Sequence, residues 1–89
     1  MGYEVKISKK ALRELKKMDR FQSKIIMDWI EKNLVGTDNP RKNGKGLVGD
    51  RSGYWRYRVG DYRIIADLQE DVVTIMILKV GHRKEIYKQ

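Results

Sequence analysis

The segment WRYRVGDYRIIADL, Trp55 to Leu68, constrains the fold more tightly than any other stretch of the chain. Two runs rich in aromatic and β-branched residues flank Gly60-Asp61, a pair suited to the two-residue hairpin turn whose twist matches that of its strands. A two-residue turn leaves no freedom of register. Val59 then faces Tyr62, Arg58 faces Arg63, Tyr57 faces Ile64 and Arg56 faces Ile65. Side chains alternate faces along a strand, so Arg56, Arg58 and Arg63 share one face. Tyr57, Val59, Tyr62 and Ile64 share the other, and that apolar face needs a covering layer.

Two helical segments upstream can supply the cover. Tyr3 to Ile7 alternates apolar and charged residues, the pattern of a half-buried strand. Ser8 then reads as the N-cap of a helix with Leu12, Leu15 and Met18 at helical spacing. A second helix starts at Asp19, with Gln22 as a capping-box partner and Phe21, Ile25, Trp29 and Leu34 on its apolar side. Gly36 ends it. With almost no linker, the two helices must form an antiparallel hairpin. Residues 37–53 read as loop, opened by the Asn39-Pro40 turn signal. The strand 54–59 and the strand 62–68 follow, and Glu70-Asp71 turns the chain again. Val72 to Val80 (VVTIMILKV) is almost continuously apolar and predicts a central strand buried on both faces. The expected fold is α+β in the order β-α-α-β-β-β, a helical hairpin packed on one face of a small, mainly antiparallel sheet. At 89 residues this is a single domain spanning 1–89.

The chain carries 20 Lys and Arg against 12 Asp and Glu, a net charge of +8. That balance points to a polyanionic partner, nucleic acid first. It has no cysteine, so neither disulfides nor a thiolate zinc site can stabilise it, and a reducing cytoplasm is the expected location. No apolar run approaches a membrane span, and the N-terminus lacks the apolar core of a signal peptide. Met1-Gly2 does not begin a myristoylation motif, because Lys6 stands where Ser or Thr is required. No membrane partner is expected.

Gly44, Gly46 and Gly49 in NGKGLVGD satisfy G-x-G-x-x-G. A dinucleotide-binding loop must follow a strand and open a helix, whereas this one follows a helix and leads into a strand. A Walker A reading fails as well, since Asp50-Arg51 occupy the Lys-Ser/Thr positions. The expectation is no cofactor and no metal, with Leu47 and Val48 plugging the sheet edge while the glycines allow the backbone to bend.

The arginine face carries the chemistry. Directly opposed like charges on a sheet are destabilising, so Arg58 and Arg63 call for an anion, and guanidinium groups bind phosphate bidentately. Pairing with Asp67, Glu70 or a helix carboxylate is the structural alternative. The tail Gly81-His82-Arg83-Lys84-Glu85-Ile86-Tyr87 leaves the last strand and can curl over this face. It offers Arg83, a single imidazole at His82, a side chain suited to proton transfer, and the Tyr87 phenol, whose ionised form nearby positive charge favours. No carboxylate pair, Ser-His-Asp set or metal-ligand cluster is visible.

With these residues in place, the chain resembles the RelE family of toxin–antitoxin toxins, within the RelE/ParE superfamily. The likeness rests on YEVKISKKALRELKKM, WRYRVGDYRIIADL and VGHRKEIY, and spans nearly the whole chain. It implies a ribosome-dependent endoribonuclease that cuts messenger RNA in the ribosomal A site. It also implies a cognate antitoxin that neutralises the toxin, and contact with operator DNA only through that antitoxin. In the family the substrate 2′-hydroxyl attacks the adjacent phosphate. Carried over by position, Tyr87 is the base, Arg63 holds the scissile phosphate and Arg83 assists the leaving group. Arg56 and Arg58 fall where well-known members have lysines, which favours electrostatic stabilisation over proton donation, because arginine is hardly ever deprotonated. His82 is then a second candidate proton donor. Lys45 and Arg51 on the loop, and the stripe Lys9, Arg13, Lys16 and Arg20 on the first helix and its exit, are candidate RNA-docking cations. Two other readings share the residues: a gyrase-inhibiting toxin of the same fold, as ParE-type members are, and a non-catalytic nucleic-acid-binding module.

Overall fold

The computed structural model describes residues 2–47 and 53–86. Along the chain run β1 (Glu4–Ile7), α1 (Lys9–Lys17), α2 (Arg20–Asn33), β2 (Lys45–Gly46), β3 (Trp55–Val59), β4 (Tyr62–Gln69) and β5 (Thr74–His82), with a 3-10 turn at Glu70–Val72. The strands form one sheet in the order β1-β5-β4-β3-β2. All pairings are antiparallel except β1 with β5, which is parallel. The architecture is α+β, two helices against one face of a mainly antiparallel sheet, as the sequence implies. One strand is added to that reading: Lys45–Gly46, within the expected loop, pairs with the edge of β3.

The hairpin register is the one that the two-residue turn dictates, with Val59 opposite Tyr62, Arg58 opposite Arg63, Tyr57 opposite Ile64 and Arg56 opposite Ile65. Gly60 takes φ 60°, the left-handed conformation that this turn requires and glycine adopts without strain.

The helices cover the Tyr57 face. Ala11 and Leu15 from α1 and Ile26, Ile30 and Leu34 from α2 and its end meet Tyr57, Val59, Ile64, Ala66, Ile75, Ile77 and Val80 in one cluster. The buried stripe of α2 is only partly the expected one: Leu34 is buried and Trp29 packs against the core, but Phe21 is 79% and Ile25 54% exposed, while Ile26 and Ile30 are buried. Neighbouring helical residues lie about 100° apart, so α2 carries two apolar stripes, and the sheet claims the one through Ile26. Leu12, on α1, is likewise exposed.

Local contacts define the helix starts. Ser8 Oγ accepts from the Ala11 N–H at 3.1 Å and donates to the Leu78 carbonyl at 3.1 Å, so one hydroxyl caps α1 and ties it to β5. The Asp19 carboxylate accepts from the Phe21 and Gln22 N–H groups at the start of α2. Beyond α2, the segment after Thr37 is held along β3. The Tyr57 hydroxyl donates to the Pro40 carbonyl at 2.6 Å and the Trp55 indole to the Asn43 carbonyl at 2.7 Å. Arg41 pairs with Glu70 and lies over the Trp55 ring. Gly44 sits at φ 83°, and a Cβ there would meet the Arg56 carbonyl at 2.2 Å. Its glycine is required by this close approach to β3, whatever the spacing of its neighbours. Val48 and Gly49 lie outside the described residues, so of the two expected edge plugs only Leu47 is placed, half-buried and donating to the Tyr54 carbonyl.

The last strand starts two residues later than its apolar run. The 3-10 turn consumes Glu70 to Val72, Val73 adopts a left-handed φ of 49°, and Val72 is 60% exposed. At its other end the strand runs on to His82, two residues past the apolar run.

Candidate nucleic-acid interface

The face of the sheet away from the helices collects cations by register alone. Directly paired residues point to the same side. Arg56 pairs with Lys45 on one flank and Ile65 on the other, Ile65 pairs with Lys79, and Arg58 pairs with Arg63. Lys45, Arg56, Arg58, Arg63 and Lys79 thus occupy one face across four strands. Lys79 is missing from the sequence-derived set. Its signal was present as the one charge interrupting VVTIMILKV, but a strand read as buried on both faces gave it no side.

Arg63 is the most enclosed of these cations, 9% exposed. Its guanidinium donates to the Gly60 and Tyr62 carbonyls, each at 3.1 Å, which orients the fork at the end of the hairpin. Arg56 is half-buried and Arg58 exposed. Of the carboxylates weighed as partners for the arginines, Glu70 pairs with Arg41, Asp67 accepts from Gln69, and Glu14 accepts from the Val80 N–H.

The tail turns back over this face. The Arg83 N–H donates to the Asp61 carbonyl at 2.7 Å, and its Nε lies 4.0 Å from the Asp61 carboxylate. Arg83 and Arg63 therefore converge on the same Gly60-Asp61 turn from two directions. Ile86, 1% exposed, packs on Gly81, where a Cβ would come within 3.2 Å of its Cδ1. Gly81 pairs with Arg63, so this contact lies on the arginine face.

His82 is not brought to that face. It pairs with Tyr62 and stacks edge-on against its ring at 5.4 Å, which puts it on the helix side. Its Nδ1 accepts from the Lys84 N–H at 3.1 Å, an arrangement that assigns the proton of the neutral ring to Nε2. The reason is the strand's length. A residue beyond the strand end is free to point either way, whereas one inside the ladder is committed by parity. Tyr87 and Arg51 lie outside the described residues. Lys9, Arg13, Lys16 and Arg20 are exposed on the helical layer, across the sheet from the arginines, so among the described residues the expected docking cations fall on two surfaces, with Lys45 joining the strand arginines.

Where β2 ends, a cavity of about 370 Å³ opens beside β3, lined by Trp29, Asn43, Gly44, Lys45, Arg56 and Arg58. Among the described residues, no cluster of His, Asp or Glu is arranged to hold a metal ion, and no helix is long and apolar enough to cross a membrane.

Three comparisons with known proteins bear on this geometry. The family model described as "ParE toxin of type II toxin-antitoxin system, parDE" matches residues 5–87. The chain is 28% identical over 89 residues to Toxin RelG of Mycobacterium tuberculosis, covering 100% of both chains. It is 26% identical to Toxin RelE of the same organism, covering 97% of this chain and 87% of that one. Among solved structures, the toxin–antitoxin complex RelBE2 from Mycobacterium tuberculosis aligns with a TM-score of 0.84 at 26% identity, over 96% of this chain and 95% of the other. The isolated RelE toxin of Escherichia coli aligns at 0.72 with 18% identity, over 91% and 84%, and shares the fold.

Proposed function

The chain belongs to the ParE toxin family of type II toxin–antitoxin systems, within the RelE/ParE superfamily, and from that premise we propose that it is a ribosome-dependent endoribonuclease that cuts messenger RNA in the A site. The observation that carries the reading is the directly opposed pair Arg58 and Arg63, on a face that also holds Arg56, Lys45 and Lys79. Guanidinium groups gathered in register on one face can hold a phosphodiester through bidentate hydrogen bonds.

In this reaction the RNA 2′-hydroxyl attacks the adjacent phosphorus. Its proton passes to Tyr87 as the O–P bond forms, and the bond to the 5′-oxygen breaks to leave a 2′,3′-cyclic phosphate. Arg63, oriented by the Gly60 and Tyr62 carbonyls, holds the scissile phosphate. Arg56 and Arg58 stabilise the charge that accumulates on the phosphorane. Arg83, anchored on the Asp61 carbonyl, stabilises the leaving 5′-oxygen, which takes its proton from water. His82 has no part, because it stands on the other side of the sheet. The messenger lies on the strand face, while the helix stripe Lys9, Arg13, Lys16 and Arg20 meets ribosomal RNA.

A cognate antitoxin is the second partner, by analogy with the RelBE2 complex. Exposed Phe21 and Ile25, flanked by Arg20 and Lys24, fit an amphipathic acidic segment of such a protein.

The second reading, gyrase inhibition through protein contact, draws support from the ParE name of the matching family model. The deciding experiment incubates messenger RNA with the protein, with and without ribosomes. Ribosome-dependent cuts within reading frames, lost in Arg63→Ala and in Tyr87→Phe, support the nuclease. Intact messages together with lost DNA supercoiling in arrested cells would instead establish the gyrase reading.

A further inference from the structure

The phosphate face does not account for the cavity at the edge of β3, whose lining includes the Trp29 indole. We propose that this cavity is a nucleobase subsite, seating the base of a nucleotide next to the scissile phosphate and thereby biasing which codons are cut. The proposal rests on the nuclease reading for its substrate and on the edge geometry for its chemistry.

The edge is built by an interrupted ladder. Leu47 donates to the Tyr54 carbonyl, which sets the phase of the β2–β3 pairing. Main-chain groups alternate direction along a strand, so the N–H and C=O of Arg56 and of Arg58 both point outward to this edge. Lys45 meets Arg56, but β2 has ended before Arg58. Asn43 would come next in register, yet Gly44, at φ 83°, turns the chain, and the Asn43 carbonyl is taken by the Trp55 indole. The main-chain N–H and C=O of Arg58 therefore face the cavity at the spacing of a strand edge. That donor–acceptor pair matches the edge of a base.

The remaining walls fit the same ligand. Trp29 is half-buried and braced against the Tyr57 ring at 5.5 Å, a rigid aromatic surface of the kind on which bases stack. The Asn43 carboxamide makes no hydrogen bond to another described residue and carries both a donor and acceptors. Lys45, Arg56 and Arg58 supply positive charge to the lining. A simple anion site has no use for the indole, and an apolar ligand has no use for the cations. A nucleotide, flat and apolar at one end and anionic at the other, uses both, and the volume lies within the range of small-molecule sites.

The test uses the whole protein, labelled with nitrogen-15, without ribosomes, and a 2′-O-methyl trinucleotide that cannot be cleaved. The chain has two tryptophans, so two indole N–H signals are read, and Trp29→Phe assigns them. The expected result is a saturable shift of the Trp29 signal with the trinucleotide and none with inorganic phosphate. Asn43→Ala should weaken that binding by about tenfold, one hydrogen bond's worth, at unchanged thermal midpoint. On ribosomes, Asn43→Ala should redistribute cleavage among codons. A Trp29 signal unmoved by the trinucleotide, or moved equally by phosphate, overturns the proposal. Trp29 shifts without any ribosome-dependent cutting would instead sink the nuclease reading and leave the base subsite standing.

Discussion

Arg58 and Arg63 face each other across β3 and β4, yet only Arg63 is drawn into the protein, by two carbonyls at the hairpin turn. The two therefore respond differently to truncation. Arg58→Ala removes an exposed charge opposed to a like charge, so the thermal midpoint should stay level or rise slightly, while cleavage falls by about tenfold or more. A variant that loses midpoint and keeps activity would show that Arg58 serves the fold. Tyr57 is a second informative position. Its hydroxyl supplies the Pro40 carbonyl from a fully buried ring, and Tyr57→Phe should cost about 1–2 kcal/mol in denaturant unfolding. Burial, opposed by the charge of Arg41, raises its ionisation well above the ordinary 10.0. A pKa raised in the folded state means that the contribution is complete below the unfolded value and is lost as pH climbs beyond it. Wild-type stability should therefore decline above pH 10.0 more steeply than that of Tyr57→Phe, with the two curves converging as pH rises.

Among the elements, the hairpin of β3 and β4 was legible residue by residue, because Gly60-Asp61 admits one register and the alternation of arginine with apolar residues assigns the faces. The first helix start was legible too, and it carries a test: Ser8→Ala loses both the Ala11 cap and the link to Leu78, so unfolding free energy should drop by about 1–2 kcal/mol. A change near zero would mean that the hydroxyl adds nothing beyond what water supplies. The apolar stripe of α2 was legible only at Trp29 and Leu34, since Phe21–Ile25 and Ile26–Ile30 are equally apolar lines on one helix. The strand at Lys45–Gly46 was hidden for a similar reason. Two residues without alternation leave no periodic signal, and their pairing exists only because Pro40 and Asn43 are pinned to the side chains of β3.

For the whole molecule, the charge of +8 is divided between the strand face and the helical layer, with the sheet between them. Contacts of this kind release counterions, so ribosome binding should weaken linearly in log K against log salt. Neutralising helix cations such as Lys9 and Arg13 should flatten that slope without abolishing the cutting of messages already bound at saturating protein. A salt-independent affinity would exclude phosphate contacts as its source. The sequence by itself determined the order of elements, the hairpin register, and the face shared by Arg56, Arg58 and Arg63, because turn chemistry and period-two alternation are local properties. Only the tertiary structure decided which stripe of α2 is buried, that Lys79 joins the arginine face, that His82 leaves it, and that an indole lines the cavity at the edge of β3. Each of those depends on where a strand begins or which surface a helix meets, and such choices are settled by packing between segments far apart in the chain.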